Sequence, residues 1–173
     1  WTFESKDRSG THTLTSAGIP FINTVTFSMA GTAKMSLADA FSSSSTVTSS
    51  STSSLVMNAF TMTLSGTGTV WTGAGTIDAG TSIIVLTNTS ATAKTFAGGT
   101  KTYYTLNIPK GTGGTVITGT NSFNTIKSVA GWDAAGLLTL TTNTTQTLTG
   151  DMSAGFGHVA NILTLNATAG VVT

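Results

Sequence analysis

Apolar and polar positions alternate along almost the whole chain, most legibly in KTYYTLNI (Lys101–Ile108) and SFNTIK (Ser122–Lys127). A period of two places successive side chains on opposite faces of a pleated strand. The pattern predicts strands at Thr11–Thr15, Thr24–Met29, Lys34–Leu37, Ser54–Asn58, Thr61–Ser65, Thr69–Thr72 and Ser82–Thr87. It continues at Lys94–Ala97, Thr102–Ile108, Thr115–Thr118, Ser122–Lys127, Leu137–Thr141, Thr145–Thr149 and Ile162–Asn166. Gly, Asn, Ser and Asp separate these runs, residues that turn a chain by accepting positive φ or by bonding their own backbone. Pro109 closes its strand, as a residue with no N–H to give a ladder should. Lys34–Phe41 is the nearest approach to a helical stripe, and it is short.

The apolar positions also recur at a longer interval. Ile84 to Leu106 is 22 residues, Leu106 to Ile126 is 20, and Ile126 to Leu148 is 22. A second series interleaves, with 20 residues from Phe96 to Val116 and 22 from Val116 to Leu138. Two interleaved series with one period describe a coil with at least two strand faces per turn. A meander of hairpins would favour tight Asn-Gly or Asp-Gly turns instead, and neither pair occurs. The expected fold is all-β: a parallel β-solenoid with coils of about 20–22 residues, with an antiparallel β-sandwich as the alternative. Asn107, Asn121, Asn124 and Asn143 fall near strand edges or turns, where amides can ladder between coils or hold left-handed corners.

Residues 42–54 (SSSSTVTSSSTSS) read as a flexible linker or as a solvent-facing edge turn. They divide an N-terminal β segment, residues 1–41, from the more regular coils of residues 55–173. The chain opens at Trp1 and stops in GVVT, which reads as mid-strand. The expectation is a processed product or a portion of a longer polypeptide.

Composition sharpens the class. Thr and Ser fill about a third of the 173 residues, and β-branched Thr, Val and Ile fit a pleated surface better than a helix. Charged residues make up 8%, against about 25% in an ordinary soluble domain. With a net charge of +1 and scattered lysines, there is no basic stripe to neutralise phosphates, so nucleic acid is not an expected partner. No apolar run approaches the roughly 18 residues of a membrane span. The absence of Cys removes disulfides, thiolate metal sites and Cys nucleophiles.

Several phrases resemble a family of Gly/Thr-rich repeats found in bacteriophage virion proteins and large bacterial surface proteins. They are GTHTLTSAG (Gly10–Gly18), TIDAGTSIIVLT (Thr76–Thr87), KTFAGGTKTYYTLNI (Lys94–Ile108), TVITGTNSFNTIKS (Thr115–Ser128) and LLTLTTNTTQTLTGDMS (Leu137–Ser153). The resemblance covers most of residues 10–166. It implies parallel β-helix coils of a fibre, spike or adhesin, and it brings no catalytic residues. The chain departs from the pattern at SVAGWDAAG (Ser128–Gly136), where Trp132 and Asp133 replace a plainer turn, and in the Ser-rich tract.

Candidate chemistry is sparse. Of six carboxylates, Asp133 and Asp151 stand 18 residues apart, close to one coil, and could meet across neighbouring coils. Glycoside hydrolysis needs two carboxyls about 5–10 Å apart, but Asp beside Gly131 and Gly150 is also what a turn requires. His12 and His158 are too few for a metal site. GTGGT (Gly111–Thr115) lacks the Lys and the helix of a phosphate cradle and reads as a turn. The rings able to stack on a sugar are Trp1, Trp71, Trp132, Tyr103 and Tyr104. With Tyr104, Leu106 and Ile108 on the core face, alternation exposes Tyr103. Tyr103, Trp132 and Asp133 are therefore the candidates for carbohydrate binding or for a subunit interface. Thr-x-Thr triplets recur at Thr24–Thr26, Thr46–Thr48, Thr61–Thr63, Thr139–Thr141 and Thr145–Thr147, at irregular gaps that count against the in-register array an ice-binding solenoid needs.

The expected role is a non-enzymatic structural module at a virion surface, without cofactor, self-associating (a trimer first) or joined to other virion proteins. The alternative is an extracellular or bacterial surface adhesin that binds a glycan. Ice binding ranks behind both.

Overall fold

The computed structural model describes residues 1–5, 7–109, 111, 113–128, 137–140, 144–150, 152–153, 164–167 and 171–172. Among the described residues the only regular elements are strands joined by turns, and every pairing is parallel, which excludes the antiparallel sandwich. The chain is a β-solenoid.

The first sheet takes one strand from each successive coil. It runs β1 (Thr2–Glu4), β3 (Val25–Ser28), β6 (Val47–Ser49), β9 (Gly68–Gly73), β12 (Lys94–Ala97), β14 (Thr115–Thr118), β16 (Leu137–Leu140) and β19 (Thr164–Ala167). The second is shorter, with β2 (Thr11–Leu14), β4 (Lys34–Leu37), β7 (Ser54–Val56) and β10 (Thr76–Asp78). The third runs β5 (Phe41–Ser43), β8 (Thr61–Leu64), β11 (Ile83–Leu86), β13 (Thr102–Ile108), β15 (Asn121–Ser128), β17 (Thr145–Leu148) and β20 (Val171–Val172). β18 (Met152–Ser153) also pairs with β15.

The register confirms part of the interleaved count and corrects the rest. Ile84 pairs with Leu106, and Leu106 with Ile126. Beyond that the count slips: Leu148 pairs with Phe123, and Phe96 with Ile117 rather than Val116. Steps between partners run from 20 residues (Leu106 to Ile126) to 27 (Leu138 to Leu165). Loops of unequal length absorb the differences, so counting residues alone cannot hold register.

The core is a column of inward side chains, with Val25, Phe27, Leu55, Met62, Leu64, Ile84, Leu86, Leu106 and Ile117 buried. Aromatic rings stack along it in two groups. Phe3, Phe21, Phe27 and Phe41 form the first, with Phe21 and Phe41 stacked at 5.0 Å between centroids. Trp71, Phe96, Tyr103 and Phe123 form the second, with Tyr103 stacked on Phe123 at 5.6 Å.

The Ser-rich tract is neither a linker nor a mere edge turn. It supplies most of β5, all of β6 and the start of β7, one strand to each sheet. Ser43, Ser49 and Ser53 are buried, and the Ser49 and Ser53 hydroxyls bond each other at 2.8 Å. Small hydroxyl side chains let the coil corner close while satisfying its backbone, as Ser53 Oγ does at the Ser50 carbonyl (2.9 Å).

The second sheet ends at β10 while the other two continue. In the next coils β13 and β15 are seven and eight residues long. The pairing of β13 with β11 begins only at Thr105, so residues 102–104 precede it and pack near β10. The change from three short faces to a longer bent strand positions the site described next.

Candidate functional site: a groove beside the end of the second sheet

The bend in β13 changes which tyrosine is exposed. Along Thr102–Ile108 Tyr103 is buried and Tyr104 exposed, but Thr105 and Leu106 are then buried in succession. β15 repeats the break one coil on: Thr125 and Ile126 are both buried, in register with Thr105 and Leu106. Strict alternation holds only while a strand keeps one plane, and a corner turns two consecutive residues inward. The expectation that Tyr103 is exposed is therefore corrected, and Tyr104 takes its place at the surface, 37% accessible.

Tyr103 is a core residue instead. Its phenol donates to the Gly98 carbonyl (2.7 Å) and accepts from the indole Nε1 of Trp71 (2.9 Å). Burial holds the phenol well above its ordinary pKa, with the Trp71 N–H acting the other way. Trp71 is fully buried as well, so it too is withdrawn from any surface role. Trp132 and Asp133 lie outside the described residues, as do Asp151, His158 and Asn143. The Asp133–Asp151 pairing across coils thus has no described geometry.

Tyr104 lines a groove of about 470 Å³ that crosses four coils. One wall is Ile77, Asp78, Ala79 and Gly80, at the end of β10; Thr102, the buried Tyr103 beneath the surface and Tyr104 follow on the next coil, and Asn124 and Thr149 on the two after. Asp78 supplies the sole formal charge of the lining. Gly80 sits at φ +53°, where a Cβ would collide with the Asn58 carbonyl, so this wall depends on a glycine. None of Asp78, Asn124 and Thr149 was singled out for this groove from sequence, because they converge only through the register of four coils.

Two further polar features bear on function. Asn121 is an internal rung: its Nδ2 donates to Gln146 Oε1 (3.1 Å) and to the carbonyls of Thr118 and Gly119 (3.0 Å each). The amide ladder expected at Asn121 is thus present, with Gln146 as its partner. The threonines, by contrast with the expectation from irregular gaps, do fall into register. Thr2, Thr26, Thr48 and Thr72 pair in sequence up the first sheet, followed by Ala97 and Thr118. Thr69, Thr95, Val116 and Thr139 form a second file beside them. The irregularity lies in the loops.

His12 shares a contact of 2.9 Å with the Ser5 hydroxyl, and no group of three or more His, Asp and Glu side chains gathers among the described residues. No helix there is long and apolar enough to cross a membrane. No protein-family model, curated protein or solved structure matches the chain.

Proposed function

We propose that the chain is a non-enzymatic structural module, a rigid β-solenoid segment of a bacteriophage fibre, spike or capsid-surface appendage. The observation that carries this reading is the continuous parallel register through successive coils, with an aromatic column inside and few charges outside. Every added coil repeats the same ladder bonds and buried rows, a quasi-one-dimensional design that lengthens without a new core. The first coil also supports association: Ile19 and Ile22 stand exposed in its loop at 67% and 72%, apolar side chains of the kind a partner surface covers.

Gold-labelled antibody against the chain, applied to purified phage particles and to intact bacteria, tests the location. Label on virion appendages is the expected result. Label on the bacterial envelope alone assigns the chain to the adhesin alternative, and label on neither overturns both.

A second reading, ice binding, draws on the threonine files, whose spacing of about 4.8 Å between strands and about 6.7 Å between alternate residues gives a two-dimensional hydroxyl lattice. Ala97, Val116 and the register shift beside Trp71 interrupt it. Thermal hysteresis in the wild type, abolished by Thr48→Tyr, is the outcome this reading requires; its absence removes the reading.

A further inference from the structure

We propose that the groove beside the end of the second sheet is a binding site for a neutral pyranose, the terminal or internal sugar of an uncharged glycan. A volume of about 470 Å³ lies within the range of small-ligand sites, about 300–1,000 Å³. Its chemistry is amphipathic in the way a sugar is. Tyr104 offers a half-exposed ring whose negative π face suits the slightly positive axial C–H groups of a pyranose. Polar residues from four different coils line the same groove: the exposed Asp78, Thr102, Asn124, whose Nδ2 also donates to Thr125 Oγ1 (3.2 Å), and Thr149, whose hydroxyl also donates to the Phe123 carbonyl (3.4 Å).

Charge decides between ligand classes. The lining holds one carboxylate and no Lys, Arg or His, so sulfated, phosphorylated, sialylated or uronic-acid ligands meet repulsion with nothing to offset it. A carboxylate accepts from a pair of vicinal hydroxyls, and an amide both donates and accepts. The same single carboxylate makes the groove a binding site rather than a hydrolytic one, which needs two.

The test uses the intact chain on an array of neutral oligosaccharides built from glucose, galactose, mannose and N-acetylhexosamines, with sialylated and sulfated counterparts. Retained neutral glycans are then titrated by calorimetry against wild type, Tyr104→Ala, Tyr104→Phe and Asp78→Asn. The expected result is retention of at least one neutral glycan, weakened about tenfold or more by Tyr104→Ala and by Asp78→Asn, and preserved in Tyr104→Phe. Tyr104 and Asp78 are exposed, so unchanged circular dichroism and melting temperature separate lost binding from lost fold. No retention by wild type at millimolar sugar overturns the proposal. So does retention indifferent to Tyr104→Ala, or preference for the anionic glycans. A change in sedimentation on Tyr104→Ala without any sugar effect also overturns it, because the groove is then a contact between copies.

Discussion

Two buried hydrogen bonds through one phenol show how tightly individual residues are held. Trp71 donates to Tyr103, which donates to Gly98, so one phenol satisfies both an indole N–H and a turn carbonyl. Tyr103→Phe leaves both groups buried without that oxygen, and the expected loss is about 1–3 kcal/mol, read from denaturant unfolding. A loss below about 0.5 kcal/mol would mean that the two groups find other partners. Glycines divide by what surrounds them. Gly68 and Gly99 both have positive φ (+65° and +68°), but a Cβ on Gly68 meets open space while one on Gly99 collides with the Gly73 carbonyl. Gly68→Ala should cost about 1–2 kcal/mol from conformation alone, and Gly99→Ala at least about 1 kcal/mol more, from overpacking against the coil below. Equal losses would contradict the stacked-turn geometry.

Elements are where the sequence was most and least informative. The period-two pattern located most strands because Thr, Val, Ile and Leu alternate cleanly wherever a strand stays in one plane. It missed β1, β5, β6 and β10, each only three residues long, and the two-residue β18, because so short a run gives alternation too few positions to show. It mis-set Tyr103 against Tyr104 because a corner inside β13 reverses the parity, and nothing local in TYYTLNI marks that corner. The groove was hidden for the same reason: Asp78, Tyr104, Asn124 and Thr149 are brought together by coil register, not by spacing.

β12 also carries an inward lysine. Lys94 is buried, its ammonium bonded to the Ser90 carbonyl at 2.7 Å, and burial lowers its pKa. The folded state therefore binds this proton less tightly than the unfolded state does. Stability rises with pH between the depressed folded value and the ordinary lysine value of about 10.4. Tyr103 acts in the opposite sense above about pH 10, since its raised pKa favours the protonated folded form. The comparison that isolates Lys94 is wild type against Lys94→Met across pH 8–10: the variant should be more stable at the lower end, with the difference shrinking as pH rises. A difference independent of pH would show that packing, not the buried charge, sets it.

At the scale of the whole molecule the first coil joins a partly buried cluster, Phe3, Leu14 and Phe21, packed against the core, to the exposed apolar side chains Ile19 and Ile22. If that coil's surface joins copies of the chain, Ile22→Glu should reduce self-association by about tenfold or more in sedimentation velocity. Ile22 is 72% exposed, so the fold should be unchanged. An unchanged sedimentation profile would assign association to another face. Cryo-electron microscopy of purified virions tests the proposed place of this β-solenoid in a surface appendage. The expected image is a rod-like projection whose density resolves strands stacked along the rod at about 4.8 Å, fitted by these coils in parallel register. An appendage whose density fits a compact antiparallel domain, or virions from which the chain is absent, would contradict it.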